Sequence, residues 1–186
     1  LAWDLAAQQA GVPATGLTVL AFGKLGGEEL NYSSDLDLVF VCQQDPQAYL
    51  KPAQQLIRLL SESTSEGFLY RIDMRLRPWG KSGPLVTTGA GYVDYVRVHA
   101  RHWERQALLK ARPIAGDLSY GEQLLQQLLS LQQSIPPDSA RLEVLEMKRR
   151  IEAELVRAGR TSGEIKGGPG GIRDIEFVTQ WLQLRH

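Results

Sequence analysis

The chain has 186 residues, a single cysteine, and 21 basic against 21 acidic side chains, so its formal charge is zero. That length is enough to bury a core within one domain, and the neutral balance gives no sign of a nucleic-acid partner or an acidic tail. The lone Cys42 excludes an intrachain disulfide and fits a reducing, cytoplasmic compartment. No run approaches the ~18 apolar residues of a membrane span, and no charged-then-apolar leader opens the chain. The absence of an initial methionine and the stop at Arg185-His186, inside an amphipathic pattern, read as an excised piece of a longer chain.

In chain order, residues 1–9 read as a helix with Leu1, Leu5 and the neighbouring alanines on one face, ended by Gly11 and Pro13. Residues 18–22 are a strand, followed by a glycine-rich turn at Gly23, Gly26 and Gly27. Glu28 and Glu29 read as the first turn of a short helix, where acids complement the dipole. Asn31, Ser33 and Ser34 form a polar turn, and a second apolar strand runs over 36–42. Cys42, at its end, reads as a small core residue. Pro52 opens a helix reaching about residue 63, with Ala53, Leu56, Ile57 and Leu60 on one face, before Gly67 breaks the pattern. Residues 68–76 alternate as a strand, with Tyr70, Ile72, Met74 and Leu76 on one face and Leu69, Arg71, Asp73 and Arg75 on the other.

The second half reads as mostly helical. Residues 91–109 have helical spacing, with Tyr92, Val93, Tyr95 and Val96, then Trp103, Ala107 and Leu108, as core packing. His99 and His102 lie three apart with no further ligand nearby, so no zinc site is expected. Residues 116–131 carry the stripe Leu124, Leu125, Leu128 and Leu131. Beyond a stop at Pro136, a charged helix over 139–160 turns Leu142, Leu145, Ile151 and Leu155 inward. The run Lys148, Arg149, Arg150 reads as a solvated face. A glycine-rich loop over 163–171 precedes a helix over 172–184, with Ile175, Leu182 and Leu184 apolar. Its amides, with Lys166 nearby, offer an anion site; a plain connector is the other reading. The fold expected is α/β (α+β): a small mixed sheet in a core over 1–88, and a helical portion over 89–186 continuing the same domain.

The chemistry concentrates at Asp35 and Asp37. On a strand they share a face while Leu36 and Leu38 point to the core. Adjacent carboxylates repel unless a cation lies between them or one is protonated. Mg²⁺ is a hard ion that binds carboxylates together with substrate phosphates. The glycines ahead allow backbone and Lys24 to approach a phosphate chain. Ser34 either donates to that phosphate or stabilises its own turn. The guanidiniums of Arg75 and Arg77 suit bidentate phosphate contacts. A phosphate cradle followed by paired acids reads as a nucleotidyl-transfer site.

The blocks Gly23-Lys24-Leu25-Gly26-Gly27, Glu29-Leu30-Asn31 and Ser33-Ser34-Asp35-Leu36-Asp37-Leu38 resemble the signature of the glutamine synthetase adenylyltransferase family. That family lies within the DNA polymerase β-like nucleotidyltransferases. The resemblance continues through Asp73-Met74-Arg75-Leu76-Arg77-Pro78, Gly83-Pro84-Leu85-Val86 and Trp103-Glu104-Arg105-Gln106-Ala107, and ends at Lys166, Gly168, Gly170-Gly171-Ile172 and Asp174-Ile175-Glu176-Phe177. It implies that Asp73, on a neighbouring strand, completes a magnesium site with Asp35 and Asp37, and that these three are catalytic. It also implies ATP as the nucleotide and a tyrosine of glutamine synthetase as the acceptor, with a PII nitrogen-signal protein acting through the full-length enzyme. Members contain two related halves, one transferring AMP and one removing it by phosphorolysis to ADP. The Trp103 block and the ending Leu182-Gln183-Leu184-Arg185-His186 resemble the transferring half more closely. An inert nucleotide-binding regulatory domain is the alternative of another class.

Overall fold

A computed structural model describes residues 1–32, 34–131, 137–159 and 164–185; Ser33, Pro136, Gly163 and His186, named above, lie outside the described residues. Helix α1 (Ala2–Ala10) ends where Gly11 adopts φ 68°, a left-handed cap that glycine takes without a Cβ penalty. Strand β1 (Leu17–Phe22) runs into a single-turn helix α2 (Gly23–Gly26), and β2 (Leu36–Cys42) returns antiparallel to β1. Helix α3 (Leu50–Ser61) follows, then the two-residue β3 (Ile72–Asp73) and β4 (Val86–Thr88). Both lie parallel to β2, β3 beside its start and β4 beside its end. Helices α4 (Gly89–Val98) and α5 (His102–Ala107) lead to β5 (Arg112–Gly116), which pairs antiparallel with the free edge of β1. Helices α6 (Leu118–Ser130), α7 (Pro137–Arg157) and α8 (Ile172–Arg185) complete the chain. The result is a five-stranded mixed sheet with helices on both faces, the α/β (α+β) arrangement expected.

Period-two alternation in the two central strands builds two cores. Leu17, Val19 and Ala21 of β1, with Leu36, Leu38 and Phe40 of β2, pack against α1 and α3. Leu20, Phe22, Val39 and Val41 face the other way, onto α4 and α6. Because both faces are covered, the strands are nearly continuously apolar. Asp37 shares the α4 and α6 side with Val39 and Val41, at the end of the strand where that cover gives way.

Several expectations are corrected. In α1 the buried face is Trp3, Ala6 and Ala7, whereas Leu1 and Leu5 are exposed. The tryptophan anchors the helix by donating to the Ala14 carbonyl at 2.8 Å. The strand over 68–76 shrinks to Ile72–Asp73, since Phe68, Leu69 and Tyr70 lie exposed beyond the sheet edge. The Asp73 carboxylate also accepts from the Arg75 amide at 2.8 Å, turning the chain out of the strand. The helix over 91–109 is two helices. Glu104 accepts from the Arg101 amide at 2.9 Å, so a new helix starts where the first has ended at Val98. The short helix of the glycine turn precedes Glu28 and Glu29 rather than following them. β5 adds a strand to the half expected to be mostly helical. On α7, Leu142 and Leu145 are exposed, as are Ile175 and Leu182 of α8, so these residues are not turned into a core as expected.

Candidate active site

The register brings the acids together. Asp37 and Asp73 are directly paired neighbours on parallel strands, and Asp35 stands one residue before β2 begins. Phe22, paired with Asp37 across β1, delivers Gly23 against that carboxylate. Gly23 has φ 54°, and a Cβ there would lie 2.5 Å from Asp37 Oδ2, so backbone angle and space both call for glycine. Burial, then the charges of Asp73 and Asp35, pushes the Asp37 carboxyl above the usual carboxylate range, opposed by Arg75 and Lys166.

The other two carboxylates are engaged by arginine. Arg71 Nε donates to Asp35 Oδ1 at 2.5 Å, and Arg75 Nε to Asp73 Oδ2 at 2.7 Å. The Arg75 hydrogen bonds hold the Asp73 carboxyl below its ordinary value. Among the described residues, no group of three or more His, Cys, Asp or Glu side chains is arranged to hold a metal ion. The three carboxylates share a backbone neighbourhood, with Asp35 and Asp73 each paired to an arginine. The donor set still fits a hard divalent cation, because it is all oxygen and Asp37 carries uncompensated repulsion.

A cleft of about 590 Å³ opens over this edge of the sheet, lined by Gly23, Lys24, Ser34 and the three aspartates. Its opposite wall comes from the second half, including Trp103, Lys110, Lys166, Arg173 and Glu176. The Ser34 hydroxyl is committed to its turn, donating to Asn31 Oδ1 and accepting from the Asn31 amide at 3.2 Å.

Not every sequence candidate reaches the cleft. The Gly27 amide donates to the Gly23 carbonyl at 3.0 Å, and a Cβ on Gly26 would lie 2.0 Å from the Lys110 carbonyl. These two glycines therefore permit close packing beneath the turn and do not line the cleft. The Arg77 guanidinium donates to the carbonyls of Met74, Lys81 and Gly83 at 2.8, 3.2 and 3.3 Å, tying down its own loop. The amides over 167–174 are all spent internally, which corrects the backbone anion site expected there. Their acceptors are Glu164, Ile165, Lys166, Gly168, Gly171 and Asp174, and Pro169 has no amide hydrogen.

Other groups resolve into supports. Arg112 donates to the carbonyls of Gly26 and Leu25 at 3.2 and 3.1 Å, closing the C-terminal end of α2. Lys110 pairs with Glu29 at 2.8 Å and lies 3.6 Å from Glu176 of α8. Glu104, besides capping α5, accepts from the Tyr95 hydroxyl at 2.5 Å. His99 stacks on Trp79 with ring centroids 4.7 Å apart, while His102 is buried in α5. Cys42 is fully buried and its thiol is pushed up to about 11, the chemistry of a core residue. Arg71 and, apart from Lys166, the cleft face of the second half were missed as site residues in the sequence. Arg71 was visible as a cation on the same strand face as Asp73, but the far wall depends on how α5, α7 and α8 fold back.

Fold and site together define a domain of the nucleotidyltransferase type, with acids on adjacent central strands and a glycine turn beside them. Residues 2–127 match the family model described as glutamate-ammonia ligase adenylyltransferase, and residues 145–186 match that of GlnD PII-uridylyltransferase. The chain is 43% identical over 91% of its length to a bifunctional glutamine synthetase adenylyltransferase/adenylyl-removing enzyme of Streptomyces avermitilis, covering 18% of that protein. It is 45% identical over 90% of its length to the one of Xanthomonas axonopodis pv. citri, covering 19%. The chain belongs to the glutamate-ammonia ligase adenylyltransferase family. It spans about a fifth of the length of these curated relatives.

Proposed function

We propose that this chain transfers AMP from ATP to a tyrosine hydroxyl of glutamine synthetase in the cytoplasm, as one half of a longer bifunctional enzyme open to regulation by a PII signal protein. The observation that carries the reading is the register of Asp73 beside Asp37, with Gly23 against the same carboxylate. Together with Asp35 they provide the oxygen donors for Mg²⁺, which supplies charge neutralisation and polarisation at the α-phosphorus when bound. Lys24 lines the same cleft, which supports its role in this reading as a cation for the phosphate chain. Arg75, once released from Asp73, becomes a bidentate partner for the same phosphates. In the transfer the tyrosine oxygen bonds to the α-phosphorus, the bond to the bridging oxygen breaks, pyrophosphate leaves, and the hydroxyl proton passes to solvent. The residues of the cleft act by positioning and charge, which is what displacement at phosphorus asks of a protein.

The test uses glutamine synthetase in two forms, unmodified and adenylylated, each with this chain and Mg²⁺. Labelled ATP is added to the first and labelled phosphate to the second. AMP on the unmodified protein is the expected outcome. Release of ADP from the modified form alone would reassign the chain to the removing reaction. Silence in both, alongside measurable ATP binding, would make it an inert nucleotide-binding domain.

A further inference from the structure

We propose that Lys166 is a phosphate-binding residue, presented across the cleft from the aspartates to the triphosphate of the nucleotide. This rests on the nucleotidyl-transfer reading of the cleft. Three observations carry it. The first is position: Lys166 belongs to the turn between α7 and α8, yet it lines the same cleft as Lys24 and Asp37, and its charge acts on the Asp37 carboxyl.

The second is construction of the turn. The Lys166 carbonyl accepts from the Arg173 amide at 3.0 Å, and the Ile165 carbonyl from the Ile172 amide at 2.9 Å. A Cβ on Gly168 would meet the Glu164 carbonyl at 2.6 Å, and one on Gly171 the Ile165 carbonyl at 2.5 Å. Asp174 closes the arrangement, accepting from the Gly170 amide at 2.8 Å and pairing with Lys148 of α7 at 2.5 Å. A turn so fixed holds the lysine backbone in place and spends the amides over 167–174 internally, which leaves the ammonium as the charged group this turn offers the cleft.

The third is charge. Arg71 and Arg75 are engaged by Asp35 and Asp73, and Lys110 by Glu29. Among the described residues Lys24, Lys166 and Arg173 enter no ion pair while facing the cleft. Unpaired cations on both walls, opposite acids suited to a divalent cation, match a polyanion bound with its metal. An ammonium on a flexible stem follows phosphate oxygens as a point charge. Asp174 acts through the turn and is a positioning residue.

The experiment titrates this chain with Mg²⁺-ATP and with AMP, comparing the unaltered protein with Lys166→Ala, Lys166→Arg and Asp37→Asn. Lys166→Ala is expected to weaken ATP binding by about ten- to a hundredfold, the range produced by losing a charge-assisted hydrogen bond. AMP affinity and melting temperature should stay unchanged, and Lys166→Arg should restore most of the loss. ATP binding indifferent to Lys166→Ala but lost in Asp37→Asn overturns the proposal and leaves the transfer reading standing. Equal losses for ATP and AMP with a lowered melting temperature also overturn it, making the residue structural. ATP affinity indifferent to both substitutions, or absent from the unaltered chain, overturns both.

Discussion

Asp37 is the residue on which the most physical demands meet. It is half-buried, flanked by two further carboxylates, and pressed by Gly23. Since its carboxyl is raised, the folded chain holds that proton more tightly than the unfolded chain. Ionising it therefore costs stability as pH rises from the unfolded carboxylate value, about 4, through the folded one. Asp37→Asn is expected to be more stable than the unaltered chain at neutral pH without Mg²⁺, with the gain fading as pH falls through the raised folded value and gone by about 4. Denaturant midpoints across pH measure this, and identical curves would contradict it. At this scale the sequence was legible where chemistry and period coincide. Asp37 was readable as an acid facing away from Leu36 and Leu38 because the alternation of β2 fixes which side chains share a face. A guanidinium that suits phosphate equally suits loop carbonyls, and in the folded chain Arg77 donates to three of them.

Elements built on continuous apolar runs or on a stopping residue were readable, and those set by one side-chain contact were not. β1, β2, α3 and α6 follow from periodicity, and α1 ends at the left-handed Gly11. The break between α4 and α5 has no glycine or proline to announce it. Its one local signal is Glu104, three residues after Arg101, reaching back to that amide. Glu104→Ala is expected to destabilise the chain by about 1–2 kcal/mol, through loss of a helix cap and of the Tyr95 partner. Tyr95→Phe should cost less than half of that. A chemical denaturation series measures both, and a neutral Glu104→Ala would show that packing alone starts α5. β4 and β5 were hidden for another reason. Three residues beside the end of β2 suffice for one, and the other, Arg112–Gly116, carries a proline and lies at the edge of the sheet.

At the scale of the whole molecule, two cores on opposite faces of one sheet hold the strand ends rigid, and the helical half returns to roof them. The mostly parallel outer pairing of β2 puts Asp73 beside Asp37, while the antiparallel β1 brings the glycine turn to the same point. Composition bounded this architecture, and the strand order followed from no local pattern, because register between distant segments is settled by packing. Lys166 stood out beside its glycine-rich loop, but the far wall of the cleft to which it belongs was beyond local reading. It arises only when α8 packs across the mouth, with Glu176 beside Lys110.

The most direct measurement is calorimetric titration of ATP into the chain with and without Mg²⁺, repeated on Asp73→Asn. Asp73 is the informative choice because its place in the site comes from the sheet register and not from the Asp35–Asp37 pair. If the three carboxylates jointly hold the cation with the nucleotide, Mg²⁺ tightens ATP binding in the unaltered chain and that increment disappears in the variant. An increment that survives Asp73→Asn at full strength would contradict the three-carboxylate site.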